Sequence, residues 1–199
     1  MRFGVAGKLS LALAVWGSQA CTGRARTPSE AVVRLQTAVA ERDVAQLFTA
    51  LDLETRWSWM TVRRAQRESY DIVLSNLPEG PAREQQLRRF EPGALAENDA
   101  ALLAHVMPPG RWDQLKRDLA AAPPGEPAPE QVSDDEARLP LGKDGAKPEL
   151  TFRRGQDGSW GFSGMADEAE EEKRRATADL EQVRTNASDL ERAASRAGR

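Results

Sequence analysis

Apolar residues recur at intervals of three and four along the first part of the chain, and this spacing predicts a series of helices. Two such stripes lie within residues 27–52, and a third runs over 55–77 without a glycine or proline. Three shorter helices are expected over 82–90, 98–107 and 111–122, because Glu91-Pro92-Gly93 and Pro108-Pro109-Gly110 are typical of helix ends. We therefore predict that residues 27–122 form the helical part of one domain.

Capping residues support the first two helices. Thr27, Pro28 and Glu30 fit a capping box, in which the Thr27 side chain accepts from the N–H of Glu30 and Glu30 reaches back to the N–H of Thr27. Asp43, with Gln46 three residues later, fits the start of a second helix.

The apolar period changes to two after a proline-rich segment. Residues 123–131 contain Pro123-Pro124-Gly125 and predict an extended connector rather than a helix. Within 132–165 the alternation predicts three short antiparallel strands, which are too few to bury themselves and must pack on the helices. The alternating positions are Ala137, Leu139 and Leu141, then Leu150 and Phe152, then Trp160 and Phe162. The predicted fold class is α+β, with the helical part packed on a small antiparallel β-meander.

The segment 166–199 returns to a helical pattern and is predicted to be a charged C-terminal helix. Its apolar positions follow a coiled-coil spacing, but most of them are alanine. Two interpretations stay open: a solvated helix that lies loosely on the domain or frays, and a helix that binds a protein partner of the cell envelope. The seam consists of Ala176, Leu180, Val183, Ala187, Leu190, Ala194 and Ala197.

The first 20 residues have the order of an export signal. Arg2 and Lys8 precede a short apolar run, and small residues precede Cys21, the only cysteine. The run is shorter than the roughly 20 residues that a membrane-spanning helix needs. We therefore assign residues 1–20 to a signal peptide and 21–26 to a linker.

The segment Ser18-Gln19-Ala20-Cys21 resembles the lipobox of bacterial lipoproteins. This resemblance implies that the Cys21 sulfur carries diacylglycerol and that the chain is exported. It would then be anchored by its N-terminal lipid to the cell membrane or outer membrane, facing the periplasm or the exterior. Ser18 stands where that family prefers an aliphatic residue, so a secreted chain with a free N-terminal thiol is the alternative.

Charge argues against a nucleic-acid partner. Without Arg2 and Lys8, the 28 basic residues fall to 26, against 31 acidic residues, for a net charge of −5. Binding to nucleic acid needs a clustered basic surface.

The chain has few residues suited to catalysis. His105 is the only histidine and falls at a predicted helix end, and Cys21 belongs to the terminus, so neither has partners for a triad or a zinc site. We predict no catalytic residue, no metal site and no cofactor. Acidic residues are numerous enough that a hydrolase with a carboxylate pair is kept as the alternative.

Large aromatic residues are the candidates for a ligand pocket between helices and sheet. The opposing interpretation is a closed core that contains the same rings. The residues are Trp57, Trp59, Tyr70, Trp112, Trp160 and Phe162.

Two segments, 27–52 and 137–162, resemble exported lipoproteins with a nuclear-transport-factor-two-like fold. The resemblance rests on the capped first helix, on Glu41-Arg42-Asp43, and on Asp157-Gly158-Ser159-Trp160 near the end of a late hairpin. It implies helices that pack as a cone on a curved antiparallel sheet, and no catalytic position of that superfamily matches here. We expect a non-enzymatic binding or assembly module of the envelope. The alternative places the carboxylate pair in a cone-shaped pocket.

Overall fold

A layer of helices packs against a small antiparallel sheet, as the α+β prediction requires. The computed structural model describes residues 24–122, 128–141 and 149–197. The helices are α1 (Pro28–Glu41), α2 (Val44–Ala50), α3 (Leu53–Asn76), α4 (Pro81–Leu95), α5 (Asp99–Val106), α6 (Arg111–Ala120) and α7 (Ala166–Ala197). The strands are β1 (Glu130–Gln131), β2 (Glu136–Pro140), β3 (Glu149–Arg154) and β4 (Trp160–Phe162).

Side-chain caps fix the start of α1 and α2. Thr27 Oγ1 accepts a hydrogen bond from the backbone N–H of Glu30 at 3.2 Å, as predicted. The return bond differs, because the Glu30 carboxylate accepts from the N–H of Arg26 at 2.6 Å rather than from Thr27. Asp43 accepts from the N–H groups of Ala45 and Gln46 and caps α2.

Helix α3 begins at Leu53, two residues before the predicted start, because Asp52 caps it. The buried Asp52 carboxylate accepts from the N–H groups of Glu54 and Thr55, both at 3.0 Å. The N–H of Asp52 donates to the carbonyl of Phe162 at 3.0 Å, which ties the start of α3 to β4. A Cβ at Gly161 would lie 2.4 Å from the Asp52 nitrogen, so this approach requires glycine.

The prediction that Glu91-Pro92-Gly93 ends a helix was wrong. Helix α4 continues through Pro92 to Leu95. Phe90 is buried, and Gly93 lies so close to α3 that a Cβ there would be 2.6 Å from Gln66 Cβ. Tertiary packing on α3 therefore outweighs the cost of an internal proline.

The sheet has four strands in the order β1-β2-β3-β4, all antiparallel, rather than the three predicted. The additional strand, β1, lies within the predicted 123–131 connector and pairs with Arg138 and Ala137. A two-residue strand has no detectable period, so only its partner identifies it. Residues 123–127 and the predicted turn at 142–145 lie outside the described residues.

One face of the sheet closes the core against the helices. Alternate residues of β2 and β3 are buried, as the period of two predicted. In β4 all three residues are buried, because Leu51 and Asp52 cover its free edge. The rings of Phe152 and Phe162 lie 5.9 Å apart in this core.

Helix α7 packs lengthwise on α3. Glu170 accepts from Ser58 Oγ at 3.3 Å, and Arg184 pairs with Glu68 at 2.5 Å, so the two helices run parallel. The interpretation of 166–199 as a loosely lying or fraying helix was wrong for its first two thirds. The buried residues of α7 are Ala169, Ala176, Leu180, Val183 and Ala187. Residues 188–197 extend past this contact and are exposed.

Part of the predicted 21–26 linker belongs to the folded domain. Ala25 is buried, and its carbonyl accepts from the N–H of Trp160 at 3.0 Å. Arg24 Nη1 pairs with Asp157 Oδ2 at 3.0 Å. Residues 21–23 lie outside the described residues. Within the described ranges, no helix is both long and apolar enough to cross a bilayer.

Candidate functional site

Two adjoining clefts lie where α7 begins, between the helical layer and the sheet. Arg111, Asp167 and Glu168 line both of them. We call them the apolar cleft and the polar cleft, according to the side chains that line each one.

The apolar cleft has a volume of about 460 Å³. Its wall combines one side chain of α3 with the end of α5, the turn that follows and the residue before α7. Its rim carries acidic side chains from the first two turns of α7. The wall residues are Trp59, Leu103, Val106, Met107, Pro108 and Met165, and the rim residues are Arg111, Asp167, Glu168, Glu171 and Glu172.

The polar cleft has a volume of about 330 Å³. It is bounded by α6, by β3 and by the segment that joins β4 to α7. Besides the three shared residues it is lined by Leu115, Asp118, Glu149, Leu150, Thr151, Arg153, Phe162, Ser163, Gly164 and Ala166.

Arg111 divides the two clefts. It is the first residue of α6, after the Pro108-Pro109-Gly110 turn, and its guanidinium donates to the carbonyl of Gly164 at 2.7 Å. It also reaches Glu168 Oε1 at 3.2 Å, so it joins α6 to the start of α7.

Trp59 lines the apolar cleft and carries an indole N–H that is buried and unpaired. The residue is 2% exposed, and its indole N–H has no hydrogen-bond partner in the described structure. Buried tryptophan N–H groups usually find an acceptor. The nitrogen itself is buried from solvent, so a ligand in the cleft would reach it only after a local rearrangement of the wall.

The acidic rim is partly neutralised by basic residues of the same helix. Glu172 pairs with Arg175 at 2.6 Å, and Glu171 pairs with Arg174 and Arg175, each at 3.5 Å. Asp167 is exposed and forms no ion pair among the described residues. Acidic side chains in a first turn favour the helix, and at this rim they also give the cleft entrance a negative charge.

The predicted aromatic residues do not converge on either cleft. Trp59 lines the apolar cleft, but Trp57 is 48% exposed on the opposite face of α3. Tyr70 packs beside Val73 and Phe90 in a second small cluster. Trp112 and Trp160 pack in the main core, as the closed-core interpretation expects, and Phe162 is the second predicted ring that lines a cleft, the polar one.

No motif or spacing in the sequence identifies the other residues that line the clefts. Met107 and Arg111 flank the Pro108-Pro109-Gly110 turn, whereas Met165 comes from a distant part of the chain, and only the tertiary fold brings it to them. Met107 follows the last residue of α5 and Met165 precedes the first residue of α7. Methionine adapts to irregular walls, but two isolated methionines do not predict a cleft.

His105 is exposed in the last turn of α5, where a cation complements the helix dipole. In the described ranges no group of three or more histidine, cysteine, aspartate or glutamate residues has the geometry to hold a metal ion. Cys21, the predicted lipidation residue, lies outside the described residues.

The carboxylates that line the clefts lie at or near the surface. Asp167, Glu168 and Glu149 are exposed, and Asp118 is half-buried and accepts from Gln114 Nε2 at 2.7 Å. The carboxylate-pair hydrolase stays a prediction that these contacts do not test.

Comparison of the chain with protein-family models, curated proteins and solved structures gave no match. The resemblances to lipoproteins and to the nuclear-transport-factor-two-like superfamily therefore stay predictions from the residues that carry them.

Proposed function

We propose that this chain is a lipid-anchored protein of the bacterial cell envelope and acts as a binding or assembly module rather than as an enzyme. The anchor is supported by the order of residues 1–21 and by the lipobox-like segment that ends in Cys21. The binding role rests on one observation, the apolar cleft of about 460 Å³ at the start of α7.

The cleft favours an amphipathic ligand with a cationic group. Its wall of Leu103, Met107 and Met165 suits an aliphatic or aromatic part, since burying apolar surface is the main source of affinity in such clefts. The carboxylate of Asp167 at the rim suits an ammonium or guanidinium group.

A fluorescent probe with both parts tests the binding role. Dansylcadaverine combines an apolar ring system with an ammonium group, and dansylglycine is the matched probe with a carboxylate instead. We expect titration of the chain starting at Cys21 to give binding of dansylcadaverine, with tryptophan-sensitised dansyl emission, and weaker binding of dansylglycine.

Filling the cleft provides the control. Val106 is a half-buried wall residue, so Val106→Phe should weaken binding of dansylcadaverine by roughly ten-fold or more. Val33 is 49% exposed on α1 and lines neither cleft, so Val33→Phe should leave binding unchanged. Equal affinities for the wild type and Val106→Phe would contradict a site in this cleft.

Mass spectrometry of Cys21 tests the anchor. A diacylglycerol adduct on membrane-associated protein is expected, and Cys21→Ala should release the chain from the membrane fraction. An unmodified N-terminal cysteine in the soluble fraction would overturn this half of the proposal.

The exposed end of α7, residues 188–197, is the part of the C-terminal helix left for an envelope partner.

A further inference from the structure

The folded domain begins very close to the proposed anchor. Arg24 and Ala25 are already held on the domain, by the Asp157 carboxylate and the Trp160 N–H. Cys21 precedes Arg24 by three residues in the sequence, and three residues of extended chain span at most about 11 Å. A lipid on Cys21 would therefore hold the domain directly against the bilayer, with one particular side facing it.

That side is defined by contacts around Arg24. Its partner Asp157 lies in the turn between β3 and β4, and in the same turn a Cβ at Gly155 would lie 2.8 Å from Leu53 Cβ. Leu53 is the first residue of α3. The N-terminal segment, this turn and the first turns of α3 are thus adjacent.

The outer side of α3 continues from Leu53 with large apolar residues. Trp57 is 48% exposed and Met60 is 45% exposed. Leu53, Trp57, Met60 and Arg64 follow one another at intervals of four, three and four, so they share one face of the helix. Solitary exposed apolar residues are common. This face differs because it has two of them, close to the N-terminal segment that carries the proposed anchor.

The same face is basic in a chain with a net negative charge. Arg64 is exposed, and Arg56 lies close enough to Asp157 and Arg24 for both charges to act on it. Arg154 also contacts the β3–β4 turn, because its Nη2 lies 3.8 Å from the Cβ position of Gly158. The neighbouring acids are Asp157, already paired with Arg24, Asp52, which is buried and acts on Arg56, and Glu54 at the start of α3. We call Arg24, Arg56, Trp57, Met60 and Arg64 the tether face.

We propose that the tether face lies against an anionic membrane surface, with Trp57 and Met60 in the interfacial layer and the arginines near lipid phosphates. Tryptophan favours this layer because its ring is apolar and its N–H is polar. Arginines near an anionic surface each strengthen attachment by about five-fold. The orientation rests on the proposed anchor at Cys21. In this orientation the opposite face of α3, α7 and both clefts point away from the bilayer or along it.

Chemical attachment of the chain to a lipid tests the orientation independently of whether Cys21 is lipidated in the cell. The chain starting at Cys21 has a single thiol, so it can be attached through that thiol to a maleimide-headgroup lipid. The vesicles contain phosphatidylcholine and phosphatidylglycerol, with lipids brominated near the headgroup as quenchers. The difference between the wild type and Trp57→Phe isolates the Trp57 signal.

We expect the Trp57 signal to be quenched and shifted to shorter wavelength on these vesicles. In Trp112→Phe, which removes a half-buried ring on α6, the quenching should persist. Arg64→Glu should lower the equilibrium constant for contact of this face with the vesicle by about five-fold or more and so reduce quenching of Trp57. Lys116→Glu, an exposed charge reversal on α6, should not.

Absence of quenching at Trp57 in the coupled protein would overturn the orientation, whatever the state of Cys21 in cells. Equal effects of Arg64→Glu and Lys116→Glu would also overturn it. An unmodified Cys21 in cells, with quenching intact in the coupled protein, would overturn the anchor and leave the affinity of the tether face for membranes standing.

Discussion

The two long faces of α3 have opposite environments although each carries a tryptophan. Trp59 is 2% exposed on the inner face, with Val62 and Val73 buried along the same side. Trp57, two residues earlier, is 48% exposed on the outer face. A two-residue step turns about 200° around a helix, so the position of a residue on the helix decides its environment and residue type does not.

The difference also separates two kinds of contact. The inner face is covered by α4 and α7, so each side chain there is enclosed by atoms of this chain. Among the described residues, the outer face is exposed at Trp57, Met60 and Arg64, and the β3–β4 turn touches it at Leu53. Substitutions on the inner face should therefore change stability, and substitutions on the outer face should change interactions with other molecules.

Removal of α7 should have the largest effect. A chain ending at Met165 exposes Trp59 and Val62 and loses the buried Leu180 and Val183. Burial of each such side chain contributes about 1.5–3 kcal/mol, and their sum is comparable with a total stability of about 5–15 kcal/mol. We expect the cooperative urea transition to disappear, as monitored by near-ultraviolet circular dichroism.

A shorter truncation is the control for this experiment. A chain ending at Ser188 keeps every buried residue of α7, so its free energy of unfolding should stay within about 0.5 kcal/mol of the wild type. A loss comparable with that of the longer truncation would mean that residues 189–199 support the fold.

The two tryptophans give the most direct test of the comparison. Trp59→Ala should lower the free energy of unfolding by about 3–5 kcal/mol, because it leaves a cavity between α3, α5 and α7. Trp57→Ala should change it by less than about 0.5 kcal/mol. Urea denaturation of both variants measures the difference, and similar losses would contradict the assignment of the two faces.

Gly93 tests how closely α4 approaches the inner face. Gly93→Ala would place a Cβ 2.3 Å from Gln66 Oε1 and 2.6 Å from Gln66 Cβ, so α4 must move outward. We expect a loss of about 1–3 kcal/mol in the free energy of unfolding. Gly110→Ala is the control, since a Cβ there meets no atom within 4 Å, and it should be nearly neutral in the same assay.

Acid titration should show the smallest effect, beside the outer face. Hydrogen bonds from the Ser159 hydroxyl and backbone N–H lower the pKa of Asp157 below its ordinary value, and Arg24 lowers it further. Because the folded-state pKa lies below the unfolded value of about 4, the ionised carboxylate stabilises the fold above that pH. This contribution is lost as the pH falls through the lowered folded-state pKa.

Asp157→Asn should therefore be less stable than the wild type at pH 7, by less than about 1 kcal/mol for a pair near the surface. The difference should shrink as the pH falls from about 5 to about 2. Urea midpoints measured across this range check the prediction, and a difference that does not depend on pH would contradict it.

Local signals in the sequence were sufficient for much of the secondary structure. The caps at Thr27 and Asp43 depend on atoms within three residues of each other, so both could be predicted. The α+β class followed from the change of period after the connector. The continuation of α4 through Pro92 could not be predicted locally, because its cause is contact with Gln66 on another helix.

The clefts were beyond prediction for the same reason. The Arg111–Glu168 contact that divides them joins residues 57 positions apart. The aromatic residues were grouped by residue type, without regard to the face of the helix on which each one lies. Trp57 and Trp59 were candidates for one pocket, with a closed core as the alternative. The apolar stripe that contains Trp59 and Val62 already places Trp57 on another side of α3.

The parallel contact of α3 with α7 sets an order of events during synthesis. Ser58 and Glu170 are 112 positions apart, and Glu68 and Arg184 are 116 apart. At about 5–20 residues per second, the inner face of α3 waits on the order of ten seconds before the helix that covers it exists. Until then only the earlier helices, chiefly α4, can cover this face. The part of it that α7 encloses therefore stays open for most of the synthesis.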